Sequence, residues 1–212
     1  MSTLYVPPAF REERPAILHG LMARSPLAML ACNGPDGMPV LSYLPLLLEE
    51  DGEQGVLTGH LARANPQLAA LAAAGRAVAV FTGPDAYVSP GFYPSKQEHG
   101  RVVPTWNYET VHAEGRVELF DDAPRLLALL NRLTTRHEAA QPRPWSVSDA
   151  PEAFIQAQLK GITGVTLRIG RLLGKRKLSQ NRNEGDLEGV ARGLAASPDA
   201  GDRDVATTMR AL

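Results

Sequence analysis

LAMLACNGPDGMPVLSYLPLLL, Leu27–Leu48, reads as two strands joined by a tight turn. Leu27 to Asn33 is an apolar run with a β-branch-poor but strand-compatible length, and GPDG supplies the turn chemistry that reverses it. The returning strand, Val40 to Leu48, is apolar on both faces, whereas a surface strand alternates. It must be covered twice, once by its own core and once by a helix, a ligand or a partner chain.

Outward from this hairpin the chain continues as a meander. A second turn in EEDGEQG leads to the strand GVLTG. NPQLAALAAAG follows as a helix, with Asn65 suited to the N-cap, Pro66 to the first turn and Gly75 to the C-terminal stop. RAVAVFTG returns as a strand, PDAYVSPGFYPSKQEHGR reads as a long loop, and VVPTWNYETVHAEGRVELF as a long strand with Gly115 at a bulge. DDAPRLLALLNRLTTRHEAA has leucines at helical spacing after an acidic start. The proline-rich QPRPWSVSDA leads to a further helix, PEAFIQAQLKG, and ITGVTLRIGRLLGKRK forms the last strand. Before the hairpin, LYVPPAF is extended and RPAILHGLMARSP is a short helix stopped at Ser25-Pro26. GDLEGVARGL and DRDVATTMRAL end the chain as helices.

There is no regular βαβ rhythm, which argues against a Rossmann sheet. The expectation is a mainly β, α+β fold: a small closed antiparallel barrel with flanking helices. Residues 1–182 form the barrel domain, and 183–212 form a helical extension packed on it.

The 22 Lys and Arg balance 23 Asp and Glu, so no global field draws the chain to nucleic acid or to an anionic surface. Any basic function must be local. One cysteine, Cys32, excludes an internal disulfide framework and reads as a small buried hydrophobe. No apolar run reaches the roughly 20 residues of a membrane span. A cytoplasmic protein without membrane partners is expected. The five histidines show no metal-ligand spacing, so no metal is expected. GRLLGKR is not a P-loop: its glycines stand too close and Arg176 occupies the place of the magnesium-binding hydroxyl.

Three stretches carry chemistry. GHLARANPQ, Gly59–Gln67, joins a strand end, a cationic loop and a helix start. The free N–H groups of a first helical turn suit a phosphate, and Arg63 can add a two-pronged contact. The plainer alternative is that Asn65 only caps and Arg63 only lies on the surface. In VPTWNYETVHAEG, Thr105, Trp106, Asn107 and Tyr108 suit either a wet interface around a planar ligand or an ordinary strand. In GKRKLSQNR, a basic run surrounds Ser179, Gln180 and Asn181, between a strand and a helix.

These stretches, with LYVPPAF and FTGPDAYVSPGFY, resemble in order the PaiB family, described as FMN-binding negative transcriptional regulators. The resemblance runs from about Leu4 to Arg182. It implies an FMN-binding split β-barrel, related to pyridoxamine 5′-phosphate oxidase, and a homodimer with flavin at the subunit seam. It also implies site residues. His60, Arg63 and Asn65 would lie at the FMN phosphate, with Ser42 and Tyr43 along the isoalloxazine. Thr105 and Trp106 would approach from the seam, and Lys177, Ser179 and Gln180 would complete the pocket. The sequence departs from the family pattern at Ala9 and Tyr43, where many members carry histidine.

The resemblance implies a negative transcriptional regulator. The residues equally allow an FMN-dependent oxidoreductase acting on a nicotinamide or small-molecule substrate, and less readily a haem- or deazaflavin-binding barrel. DNA binding, if present, is expected to be weak and steeply salt-dependent, because the one dense basic cluster is Arg168 to Arg182.

Overall fold

A computed structural model describes residues 3–51 and 54–212. The expected EEDGEQG turn falls partly outside the described residues, at Gly52 and Glu53. The elements in chain order are β1 (Arg11–Glu12), α1 (Pro15–Arg24), β2 (Leu27–Asn33), β3 (Pro39–Pro45), β4 (Leu47–Glu49), β5 (Val56–Ala62), α2 (Gln67–Ala74), β6 (Arg76–Val88), α3 (Ser95–His99), β7 (Thr105–Phe120), α4 (Ala123–Glu138), α5 (Glu152–Leu159), β8 (Ile162–Lys177), α6 (Glu184–Ala195) and α7 (Ala200–Met209).

The deciding hairpin forms as read. β2 and β3 pair from Leu27↔Pro45 to Asn33↔Pro39, and Gly37 takes the positive φ that the turn requires. Three readings change. The apolar stretch Val40–Leu48 is not one strand. It breaks at Leu46, whose N–H donates to Pro26 O, and resumes as β4. The loop after RAVAVFTG is largely structured: β6 runs on to Val88, a 3-10 turn spans Pro90–Phe92 and α3 follows. LYVPPAF closes in a 3-10 turn at Pro8–Phe10 rather than staying extended.

The strands form one antiparallel sheet in the order β3-β2-β6-β7-β8-β5-β4, with β1 on β8. The hydrogen-bonded ladder is open among the described residues, so the barrel expected to be closed is split. Its two end strands, β3 and β4, are successive in the chain. Gly115 marks a close backbone approach: a Cβ there would stand 2.0 Å from Arg168 O.

The chain divides into two compact units. The first comprises Met1–Ser25, Phe81–His112 and Leu173–Leu212. In its core the helices α6 and α7 bury Val190, Leu194, Val205 and Met209 against Val88 and Leu178. The helices beyond residue 182 therefore share a core with strand residues. The second unit comprises Pro26–Val80 and Ala113–Leu172. There α4 buries Leu129 and Leu133 against Leu47, as its leucine spacing predicts. Among the described residues no helix is long and apolar enough to cross a membrane.

Candidate functional site

The ten expected site residues fall into two sets, one in each unit. Ser42, Tyr43, His60, Arg63 and Asn65 belong to the second unit, and Thr105, Trp106, Lys177, Ser179 and Gln180 to the first.

In the second unit the N-cap position of α2 falls on Pro66 rather than on Asn65 as expected, and Asn65 Oδ1 accepts the Gln67 N–H at 2.9 Å just ahead of it. Its Nδ2 donates to Ser42 Oγ at 2.9 Å, so the loop and β3 are tied together. The Ser42 hydroxyl accepts this bond and keeps its own proton to donate. Arg63 is more committed than a free surface cation. Its Nε donates to Lys160 O at 2.8 Å and its Nη2 to Ile162 O at 3.2 Å. Nη1 stands 3.6 Å from the exposed Asp121. His60, near the end of β5, is half-buried, and its Nδ1 is buried with no hydrogen-bond partner among the described residues. Burial pushes its pKa down, which favours the neutral ring. Tyr43 is adjacent to Ser42 on a strand, so it points to the opposite face and is exposed.

Gln67 was not singled out from the sequence. It is fully buried, and its Nε2 donates to Leu30 O (2.8 Å) and Val40 O (2.9 Å), fixing β2 and β3 to the start of α2. A glutamine opening an alanine-rich helix gives no sequence signal of this role.

In the first unit, Lys177 is half-buried. Its Nζ donates to Thr105 Oγ1 at 2.6 Å and to the Trp106 carbonyl. Its pKa is pushed down by burial, then by the neighbouring Lys175 and Arg182. Ser179 is the one non-glycine residue with positive φ among the described residues (φ 65°). It is held there by a reciprocal pair of hydrogen bonds with the buried Asn107, at 2.9 and 3.1 Å. Gln180 folds back on its own turn: its Oε1 accepts the Leu178 N–H and its Nε2 donates to Arg176 O. Ser179 and Gln180 thus shape the turn, and the cations project from it. Trp106 is exposed and meets Tyr87 edge-on at 5.9 Å.

Among the described residues no group of three or more His, Cys, Asp or Glu side chains is placed to hold a metal ion. Cys32 is buried, which pushes its thiol pKa up.

Residues 4–171 match the family described as "Putative FMN-binding domain". The chain belongs to this family. It is 34% identical over 90% of its length to an uncharacterised protein of Aspergillus fumigatus, 90% of which is covered. It is 30% identical to the protease synthase and sporulation protein PAI 2 of Bacillus subtilis, with 82% of this chain and 81% of that one covered. The flavocytochrome Anf3 of Azotobacter vinelandii shares the fold, at a TM-score of 0.56 and 15% identity, over 79% of this chain and 69% of that one. These matches establish a PaiB-like FMN-binding split barrel, whose cofactor is FMN or a related flavin.

In the second unit, His60 Nδ1 is buried with no hydrogen-bond partner among the described residues, the Ser42 hydroxyl keeps a proton to donate, and Arg63 Nη1 stands 3.6 Å from the exposed Asp121.

Proposed function

We propose that this FMN-binding protein is an oxidoreductase acting on a nicotinamide or small-molecule substrate, and that it works as a homodimer. The observation that carries the choice is the charge of α6 and α7, the paired helices that follow the basic stretch at the end of β8. α6 exposes Glu184 and Glu188 against Arg192, its Asp186 being buried and bonded to Ser95, and α7 carries Asp202 and Asp204 against Arg203. Arg203 is occupied by the carbonyls of Ser197 and Pro198. An acidic helix pair is repelled by a phosphate backbone. Redox chemistry then follows from the cofactor, because a bound flavin supplies the electron transfer and the protein's part is to bind and orient it.

In this reading His60, Arg63 and Ser42 hold the phosphate, and Asn65 positions the loop that carries them. The carbonyls of Lys160 and Ile162 hold the Arg63 guanidinium in place before any ligand arrives. Preorganisation of that kind avoids ordering a flexible side chain on binding.

The homodimer rests on an apolar sheet face in the second unit. Leu27, Leu41 and Tyr43 are exposed on it, with Met29 and Ala31 between them by the β2–β3 register. An obligate interface buries on the order of 2,000 Å² or more. Tyr43→Lys with Leu41→Lys should therefore give a monomer mass by light scattering. Wild-type protein that is already monomeric at micromolar concentration removes the dimer.

A second reading, a negative transcriptional regulator, is favoured by the PaiB resemblance. One set of measurements separates the two. The absorption spectrum should show flavin bands that bleach on adding NADH or NADPH. A sequence-specific DNA complex that persists at high salt, without bleaching, would establish the regulator instead. Arg63→Ala should weaken FMN roughly ten- to a hundredfold, the effect of losing a charge-assisted hydrogen bond. Riboflavin, which lacks the phosphate, should be nearly indifferent to the change.

A further inference from the structure

Gln67 opens α2 with its whole side chain out of solvent. Its Nε2 donates to Leu30 O on β2 at 2.8 Å and to Val40 O on β3 at 2.9 Å. Its Oε1 is buried with no hydrogen-bond partner among the described residues. Two carbonyl oxygens facing one nitrogen need a donor with two hydrogens, and an amide NH2 supplies both without burying a charge. The orphaned Oε1 is a cost that a methionine of the same length would avoid. What the amide supplies and methionine cannot is a fixed place for two strands.

β3 is the strand that carries Ser42. Leu30 lies opposite Ser42 in the β2–β3 register, and Val40, opposite Cys32, is two residues before it. Alternation puts Val40, Ser42 and the buried Leu44 on one face of β3, where the Ser42 hydroxyl meets Asn65. The start of α2 is therefore tied to the hairpin by three side-chain bonds: Asn65 to Ser42 Oγ, and Gln67 to the carbonyls of Leu30 and Val40. Asn65 Oδ1 also accepts the Gln67 N–H, which joins the two tying residues to each other. Arg63 is held from another direction, by the carbonyls of Lys160 and Ile162. Removing the Gln67 amide takes away two of the three ties on the hairpin and leaves the Arg63 anchors in place.

We propose that Gln67 is a positioning residue for the flavin phosphate: it does not touch the ligand, and it sets the place of the Ser42 hydroxyl relative to Arg63. The inference rests on the reading that Ser42, His60 and Arg63 hold the phosphate. Hydrogen bonds weaken steeply as their geometry departs from ideal, and a binding constellation has to be held to within about 0.5 Å. The loss of Gln67 therefore falls on the phosphate's share of the affinity and not on the ring's.

The test is flavin-fluorescence titration of the full chain with FMN and with riboflavin, read as the ratio of the riboflavin to the FMN dissociation constant. Gln67→Met should weaken FMN roughly tenfold and riboflavin by less than about twofold, so the ratio falls. In a double-mutant cycle, Ser42→Ala should cost less FMN affinity in the Gln67→Met background than in wild type, because Gln67 acts through Ser42. A role in folding alone would weaken both flavins alike. If Gln67→Met does not fold, Gln67→Asn carries the test with the same result expected, since its amide is one methylene too short to serve both carbonyls. The inference is overturned if the folded variant keeps the wild-type ratio while Arg63→Ala lowers it, or if the Ser42 and Gln67 losses simply add. A ratio unchanged in Arg63→Ala and in the Gln67 variant overturns the phosphate reading itself, and the inference with it.

Discussion

Arg176 and Lys177 are neighbours on one strand, and they live in opposite electrostatic conditions. Arg176 is buried, and its Nε donates to Glu109 Oε1 at 2.5 Å while Glu12 Oε2 stands 3.5 Å from Nη1. Glu12 in turn takes a two-pronged contact from Arg14, at 2.8 and 2.6 Å. Two cations and two anions balance. Lys177 and Lys175 have rings, a hydroxyl and a carbonyl in place of anions. The difference teaches that composition says little about a basic run. GKRK is one stretch of charge in sequence, but alternation along the strand divides it into a cation paired with carboxylates and two whose neighbours are rings, a hydroxyl and a carbonyl.

The largest expected effect is on the paired side. Arg176→Met leaves Glu109 buried and uncompensated, and should cost on the order of 3–5 kcal/mol in urea denaturation. Lys177→Gln should lie within about 1 kcal/mol of wild type, because the lost hydrogen bonds are offset by relief of repulsion from Lys175. Equal losses for the two substitutions would erase the contrast between the faces.

Titration sharpens the same comparison. Glu12 is held down to about 2 from 4.5, chiefly by the Arg14 side-chain hydrogen bonds. A depressed carboxylate stabilises the fold fully above its unfolded value, and that contribution is lost as pH falls from 4.5 towards 2. Lys177 behaves oppositely. Its depressed pKa means the charged form is disfavoured in the folded state, so stability should rise with pH as the group deprotonates below its ordinary 10.5. Denaturation midpoints across pH should show an acid loss that Glu12→Gln removes and an alkaline gain that Lys177→Gln removes.

A smaller effect is expected at Asn65. Asn65→Ala loses the bond to the Gln67 N–H at the start of α2 and the Ser42 tie, and should cost about 1–2 kcal/mol in the same assay. The smallest is at Ser179. Ser179→Gly relieves a left-handed backbone but forfeits the Asn107 bonds, and two terms of about 1 kcal/mol each should nearly cancel. A gain of several kcal/mol would mean that the strain, not the hydrogen bonding, dominates that turn.

The sequence by itself determined the local elements whose signals are short-range. The GPDG hairpin, the Gly75 stop and the leucine face of α4 depend on turn chemistry and helical period, which are written within a few residues. The family was legible for a related reason, since its motifs are contiguous stretches. Only the tertiary structure decided where each side chain spends its hydrogen bonds. Arg63 meets carbonyls nearly a hundred residues away, and Ser179 meets Asn107 across 72 residues. The break at Leu46 was equally illegible, because an apolar run has no internal mark where a strand must end. The physical reason is common to all three: these choices are settled by long-range packing and by the obligation of each buried polar group to find a partner.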